Sequence, residues 1–305
     1  MRPRRGATDL AGVLPIDKPA GITSHDAVAA VRSATGEGRV GHSGTLDPLA
    51  SGLLLVLVGR ATRLEQYLVG HDKCYDVRIR FGATTDTLDS DGAVTEIRPV
   101  PPEVMDPAFA REVLASFVGT HQQHPPAYSA IKSAGVAAHR RARAGEMPEL
   151  EPRTVTITVA GLVGMDAADS SWDLSFAVSK GTYVRALARD IGRAAGTVAH
   201  VTALRRTHVG PVSVQDALSL DEACTAARSS TLSSHFIDPV PLLGLPVLEL
   251  PEGGPSDGSP VASPLGDRPN GEAFALVTAA GLLGVYRAGG GVMRAKTAFV
   301  PELSR

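Results

Sequence analysis

At 305 residues, 43% of them hydrophobic and 20% charged, the chain is long enough to bury one large core and a second small one, and its polarity is that of an ordinary soluble globular protein. No apolar run approaches the length of a bilayer span, and Ala7 to Ile16 is broken by Asp9, Gly12 and Pro15, so neither a membrane protein nor a secreted one is expected. Cys74 and Cys224 offer neither a disulfide framework nor metal-site spacing, which points to a reducing, cytoplasmic location, and a net charge of −2 argues against a nucleic-acid binder that is basic throughout.

In chain order, Thr23 or Ser24 can cap a helix whose apolar positions Ala27, Val28 and Val31 recur at helical spacing, with Gly36 as its stop. Next comes Gly41-His42-Ser43-Gly44-Thr45-Leu46-Asp47-Pro48-Leu49-Ala50-Ser51-Gly52, a glycine-rich loop carrying an imidazole and a carboxylate. The run Leu53 to Val58 directly after it is a candidate buried strand, and a loop at the end of such a strand is a rigid place for chemistry. Read blandly, Asp47-Pro48 opens a turn and His42 is a loop residue.

Thr62 to Val69 reads as a short helix. Tyr75, Val77, Ile79 and Phe81 then alternate with Asp76, Arg78 and Arg80, a strand with one apolar face, and Asp91-Gly92 is expected to turn the chain into an antiparallel partner near Ala93 to Arg98. Asp106 and Pro107 open a helix through Phe117. Residues 121 to 152 change texture, with Pro125-Pro126, a basic patch, Pro148 and Pro152; this is an excursion from the fold or a surface loop. Val155 to Val163 and Trp172 to Val178 alternate as strands, Tyr183 to Ala194 reads as a helix, and His200 to Val209 as a further strand. Arg185 falls in the first turn of that helix, against the positive end of the macrodipole, so a carboxylate partner is expected. Leu250 to Asn270 is rich in Pro, Gly, Ser and acid, and three short strands follow within Ala273–Thr278, Leu282–Arg287 and Val292–Ala298.

Charge is segregated along the chain. Acidic residues gather in Asp86 to Glu112, in Asp166 to Asp173 and around Glu249 to Asp267; basic residues gather in His139 to Arg143, in Lys180 to Arg193 and at Arg205-Arg206. A local positive face on a nearly neutral protein still binds a phosphate backbone.

The loop Gly41 to Gly52 resembles the catalytic-aspartate motif of the bacterial TruB-type tRNA pseudouridine synthases. Ile16-Asp17-Lys18-Pro19-Ala20-Gly21-Ile22-Thr23-Ser24 resembles the first motif of that family. Gln123 to Lys132 and Ser179-Lys180-Gly181-Thr182-Tyr183-Val184-Arg185 resemble two later ones, all in the family's order. The departures are mild: Ser43 and Ser51 stand where threonine is usual, and His139 where tyrosine is frequent.

The resemblance implies an α+β fold, a mixed and largely antiparallel sheet flanked by helices. It divides the chain into a catalytic domain at 1–243, with an RNA-binding insertion at about 121–152, and a small PUA-like C-terminal domain at 244–305 that includes the loose segment 250–270. It implies isomerisation of uridine to pseudouridine at position 55 in the T loop of tRNA, with base flipping. Asp47 would be the nucleophile. Arg185 would hold it ionised, an attraction of roughly 4 kcal/mol at about 4 Å and an effective dielectric near 20, before desolvation.

By the same resemblance Tyr75 would stack on the flipped uracil and relay a proton, Tyr183 and Leu204 would complete the pocket, and His42 would fill the space that the base leaves. Lys132, Arg140, Arg141 and Arg143 would contact the RNA backbone. The partner expected is the T stem-loop of tRNA, bound by a monomer. An isomerisation balances without an added group, so no cofactor and no metal is expected. Two rival readings are a tRNA-folding chaperone that needs no turnover, and a glycosidic hydrolase, for which Asp17 is the available second carboxylate.

Overall fold

The computed structural model describes residues 8–129, 132–133, 136–137, 141, 146, 150–250, 259–262 and 271–303. In chain order the elements begin with β1 (Gly12–Lys18), α1 (Ser24–Thr35), β2 (Val40–His42), β3 (Ser51–Val58), α2 (Glu65–Leu68), β4 (Lys73–Phe81), β5 (Ala83–Thr85) and β6 (Val94–Ile97). They continue with α3 (Pro107–Ala115), β7 (Gly119–Gln123), β8 (Lys132–Ser133), β9 (Val136–Ala137), β10 (Arg153–Asp166), β11 (Ser171–Val178), α4 (Val184–Ala194), β12 (Ala199–Val209), β13 (Val212–Ser213), β14 (Leu218–Ser219) and α5 (Leu220–Arg228). The C-terminal part adds β15 (Val247–Glu249), β16 (Val261–Ala262), β17 (Ala273–Thr278), β18 (Gly281–Gly289) and β19 (Val292–Leu303). The chain forms two compact units, one of residues 1–47, 52–70 and 210–305, the other of residues 48–51 and 71–209.

In the first unit β3 pairs antiparallel with β1 and β2, and β1 pairs parallel with β14. The sequence expectation for Leu53 to Val58 holds, since every one of these residues is buried. α1 is capped as its sequence predicts: the Thr23 side chain accepts from the Asp26 N–H, Asp26 accepts from the Thr23 N–H, and Gly36 closes the helix at φ 69°. Its buried stripe of Ala27, Val28 and Val31 packs against α5, an element that the sequence reading passed over. The expected short helix after β3 divides into a 3-10 turn, Gly59–Leu64, and α2. The C-terminal strands form a small five-stranded sheet in the order β15-β17-β18-β19-β16, with a core that includes Phe274, Leu276, Leu283, Tyr286 and Met293. Residues 251–258 and 263–270, most of the expected loose segment, lie outside the described residues.

The second unit is an antiparallel sheet in the order β12-β4-β11-β10-β7. Trp172 on β11, fully buried, donates from Nε1 to the Val104 carbonyl at 2.8 Å and packs edge-on to Phe81, which fixes the 102–105 turn before α3 against the sheet. The strand expected to pair with β4 through the Asp91-Gly92 turn does not do so. β4 already has β11 on one side and β12 on the other, and β6 pairs instead with the short β5. These strands and their flanking helices make the mixed, largely antiparallel α+β architecture expected from the sequence.

Candidate active site

The Gly41 loop is clamped from within its own unit. Ser24, buried in the first turn of α1, accepts from the Leu46 N–H at 2.8 Å and donates its hydroxyl to the Leu46 carbonyl at 3.1 Å. Ser43 N–H donates to the Leu55 carbonyl at 3.1 Å. Gly44 and Gly52 take φ of 144° and 104°, conformations that residues with a side chain rarely adopt, and Gly44 N–H donates to His42 Nδ1 at 3.2 Å. That bond leaves the His42 ring proton on Nε2 in its neutral form. The His42 ring meets His25 edge-on, with centroids 5.7 Å apart. Asp47 sits half-buried directly after the buried Leu46, a carboxylate next to the anchored stretch of the loop. Ser24, the last residue of the first motif and otherwise read as a possible helix cap, supports this loop in a way that sequence reasoning did not assign.

The other candidates lie in the second unit. Tyr75 on β4 and Leu204 on β12, 8% and 7% exposed, are diagonal neighbours on one face, since Tyr75 pairs with Arg206 and Val77 with Leu204. Phe176 stands opposite Tyr75 on the other flank. Tyr183, the N-cap position of α4, is held through its backbone. Its N–H donates to Gln123 Oε1 at 2.8 Å and its carbonyl accepts from Gln123 Nε2 at 3.2 Å.

Arg185 is 5% exposed, and a carboxylate of the kind its place in the first turn of α4 calls for is Asp89, with Nη1 3.4 Å from Oδ2. Nη1 also donates to the Thr87 carbonyl at 2.6 Å and Nη2 to the Tyr128 carbonyl at 3.0 Å. Asp89 is itself fixed, accepting at Oδ1 from the Thr87 hydroxyl at 2.5 Å and the Asp91 N–H at 3.1 Å. Leu88 holds φ 65°, a left-handed conformation that costs a non-glycine residue about 1 kcal/mol. Its carbonyl takes the Val201 N–H, and the Ser90 N–H returns to the Val201 carbonyl, so this loop is stapled to β12.

At the start of β4, burial and then the positive charge of Arg206 lower Lys73 to about 8, and its ammonium donates to the His71 carbonyl. Of the expected RNA-backbone residues, Arg141 is described and pairs with Glu146, Nε to Oε2, at 2.7 Å. The side chain of Lys132 and the whole of Arg140 and Arg143 lie outside the described residues. Among the described residues no cluster of three or more His, Cys, Asp or Glu could hold a metal ion, and no helix is long and apolar enough to cross a membrane.

This architecture, a mixed and largely antiparallel sheet flanked by helices, is that of the pseudouridine synthase fold. The fold is shared with a solved H/ACA RNP bound to a substrate RNA containing 2′-deoxyuridine, at TM-score 0.68 and 22% identity over 95% of this chain and 85% of that one. An archaeal box H/ACA sRNP Nop10-Cbf5 complex gives TM-score 0.67 at 23% identity over 95% and 86%. Residues 32–184 match the model of the TruB family pseudouridylate synthase N-terminal domain, and residues 185–240 that of the tRNA pseudouridylate synthase B C-terminal domain. Similar curated proteins include the tRNA pseudouridine synthase B of Thermobifida fusca, 48% identical over 69% of this chain and 73% of that one. That of Burkholderia mallei is 46% identical over 74% and 71%. The chain belongs to the TruB family of pseudouridylate synthases, and is an isomerase.

Proposed function

We propose that this protein isomerises uridine 55 in the T loop of tRNA to pseudouridine, acting on a nucleotide turned out of the loop. The observation that carries the reading is the Asp47 carboxylate, presented half-exposed on a loop that Ser24 and the β3 backbone hold still. In the reaction the bond from C1′ to N1 breaks, a bond from C1′ to C5 forms, C5 gives up its proton and N1 gains one. Atoms and electrons balance within one nucleotide. Asp47 acts as nucleophile, and Arg185, held in place by Asp89, Thr87 and Tyr128, pairs with it. Tyr75 stacks on the extruded base and relays the C5 proton, with Leu204 and Tyr183 as pocket wall. His42 occupies the place of the base in the RNA.

Phosphate contacts come from the insertion, through Lys132, Arg140, Arg141 and Arg143. The C-terminal five-stranded sheet is a PUA-like RNA-binding module. The protein works as a cytoplasmic monomer.

The test is to incubate unmodified tRNA transcript with protein and map pseudouridine by chemical labelling and primer extension. One signal in the T loop is the expected result. Asp47→Asn should lose more than about 10³-fold in rate, on the order of 4 kcal/mol, while RNA affinity stays within about tenfold, because shape is kept and only charge is lost. Bound but unmodified RNA with the wild type would point to a chaperone, and free uracil to a hydrolase.

A further inference from the structure

The chain that leaves β7 toward the insertion, His124 to Tyr128, is tied to α4 by two arginines one helical turn apart. Arg185 Nη2 donates to the Tyr128 carbonyl and Arg189 Nη2 to the His124 carbonyl, each at 3.0 Å. Between those anchors lie Pro125 and Pro126, which fix their own φ and offer no N–H, so the five residues form a stiff strap. Beneath it is a cavity of about 380 Å³ whose lining includes Leu88, Pro125, Pro126, Ala127 and Arg189. Packing from below does not fill the space under the strap, so polar contacts matter more to its position.

The far side of the strap is held by a third contact. Tyr128 donates its phenol to Asp86 Oδ2 at 3.2 Å. Asp86 is rigid in its own hairpin, because Oδ1 accepts from the Ala93 N–H at 2.8 Å and its backbone N–H donates to the Ala93 carbonyl at 3.0 Å. The next residue, Thr87, supplies the carbonyl that takes Arg185 Nη1. The contacts thus close a ring, from Arg185 to Tyr128, from Tyr128 to Asp86, and through Thr87 back to Arg185.

We infer that Tyr128 is a positioning residue for the isomerisation: its phenol latches the root of the insertion to Asp86, so that its carbonyl and that of Thr87 hold the Arg185 guanidinium from two sides. The inference rests on the assignment of Arg185 to the reaction. A guanidinium is a planar fork, and its direction is set by where its acceptors stand. Loss of the latch removes the contact that fixes one of those acceptors. A misplacement of about 1 Å in a catalytic constellation costs as much as about 10²-fold, and a loosened guanidinium less.

Tyr128→Phe removes the hydroxyl and keeps the ring. Single-turnover rate at saturating tRNA transcript should fall about tenfold, with RNA affinity within about twofold of wild type, which is the split expected of a group that acts on the chemical step. Asp86→Ala should lose at least as much, since it also removes the acceptor of the Ala93 N–H, and the double variant Asp86→Ala with Tyr128→Phe should be no slower than Asp86→Ala alone, because the phenol has no latch left to lose once the carboxylate is gone. Asp86→Asn keeps the oxygen on the Ala93 N–H and offers the phenol an amide donor, so it should turn over near the wild-type rate.

Losses that add in the double variant, or a loss confined to RNA affinity, would overturn the latch. Arg185→Lys separates this idea from the one beneath it. If Arg185→Lys is slow while Tyr128→Phe is unimpaired, the latch is wrong and the role of Arg185 stands. Wild-type turnover by Arg185→Lys overturns the role of Arg185, and the latch with it.

Discussion

A guanidinium buried in the first turn of a helix must be met by negative charge, and Asp89 brings such a charge to Arg185, the two side chains each 6% exposed. Asp89→Asn should therefore be costly although it preserves shape. The charge that offsets the buried guanidinium disappears, and stability should drop by about 3 kcal/mol in urea unfolding, with turnover falling alongside. An unchanged unfolding midpoint would mean that the carbonyls of Thr87 and Tyr128 satisfy Arg185 without the ion pair. The need for a carboxylate near Arg185 was legible in the sequence, from the helix position alone. The resemblance named Asp47 as that partner; that Asp89 also meets the guanidinium was not legible, because Asp86, Asp89 and Asp91 lie within six residues of one another and no periodicity says which turns inward. The left-handed turn at Leu88 decides it, and a leucine gives no sign of that conformation. Ser24 escaped for a related reason: a serine at a helix start reads as a cap, and its bonds to Leu46 span 22 residues.

At the scale of elements, what the sequence disclosed depended on whether one periodicity governed a segment. α1, β3, β4 and β11 follow single patterns and appear where their patterns place them. β1 was hidden by Pro15, which argues against an inner strand. The proline is tolerated because it falls between two pairings on that side, the Val13 bridge to Ile237 and the β14 ladder at Ile16 and Asp17. The partner of the 93–98 segment was misjudged because Gly82, at φ 92°, turns the chain out of β4 just before β5.

β4 also begins with a group whose titration should be visible. Lys73 is buried and lies near Arg206 and Lys180, and its ammonium titrates at about 8 in place of the ordinary 10.5. Between these values the unfolded chain binds a proton that the folded protein does not, so stability rises with pH through this window by up to about 1.4 kcal/mol per unit. Relative to Lys73→Met, wild type should gain stability from about pH 8 to pH 10.5 and show a constant difference below pH 8. Parallel stability curves across that window would show Lys73 to be charged normally.

For the molecule as a whole, the question is how a chain of net charge −2 holds a polyanion. Counterion release depends on the phosphates neutralised locally and is indifferent to the sum, so affinity should fall steeply with salt despite the slight excess of acid. The acidic residues on and beside the sheet are partly engaged already: Asp173 on β11 takes Arg78 through two bonds of 2.7 and 2.8 Å, and Asp169, in the turn before β11, takes Arg80 at 3.1 Å. The insertion is different, because Arg141 must exchange Glu146 for a phosphate if it is to contribute. Replacing Arg140, Arg141 and Arg143 together with alanine should weaken RNA binding and flatten the plot of log affinity against log salt by up to about 0.7 to 0.9 for each phosphate no longer neutralised. The chemical step at saturating RNA should hardly change, since backbone contacts position the substrate without touching the bond that breaks. Glu146→Gln should act in the opposite sense, raising affinity at low salt, because the arginine no longer has a carboxylate to leave. If the triple variant keeps the wild-type salt slope, the insertion arginines make no phosphate contact, and the search moves to the more exposed Arg193 and Arg205, since Arg206 is buried.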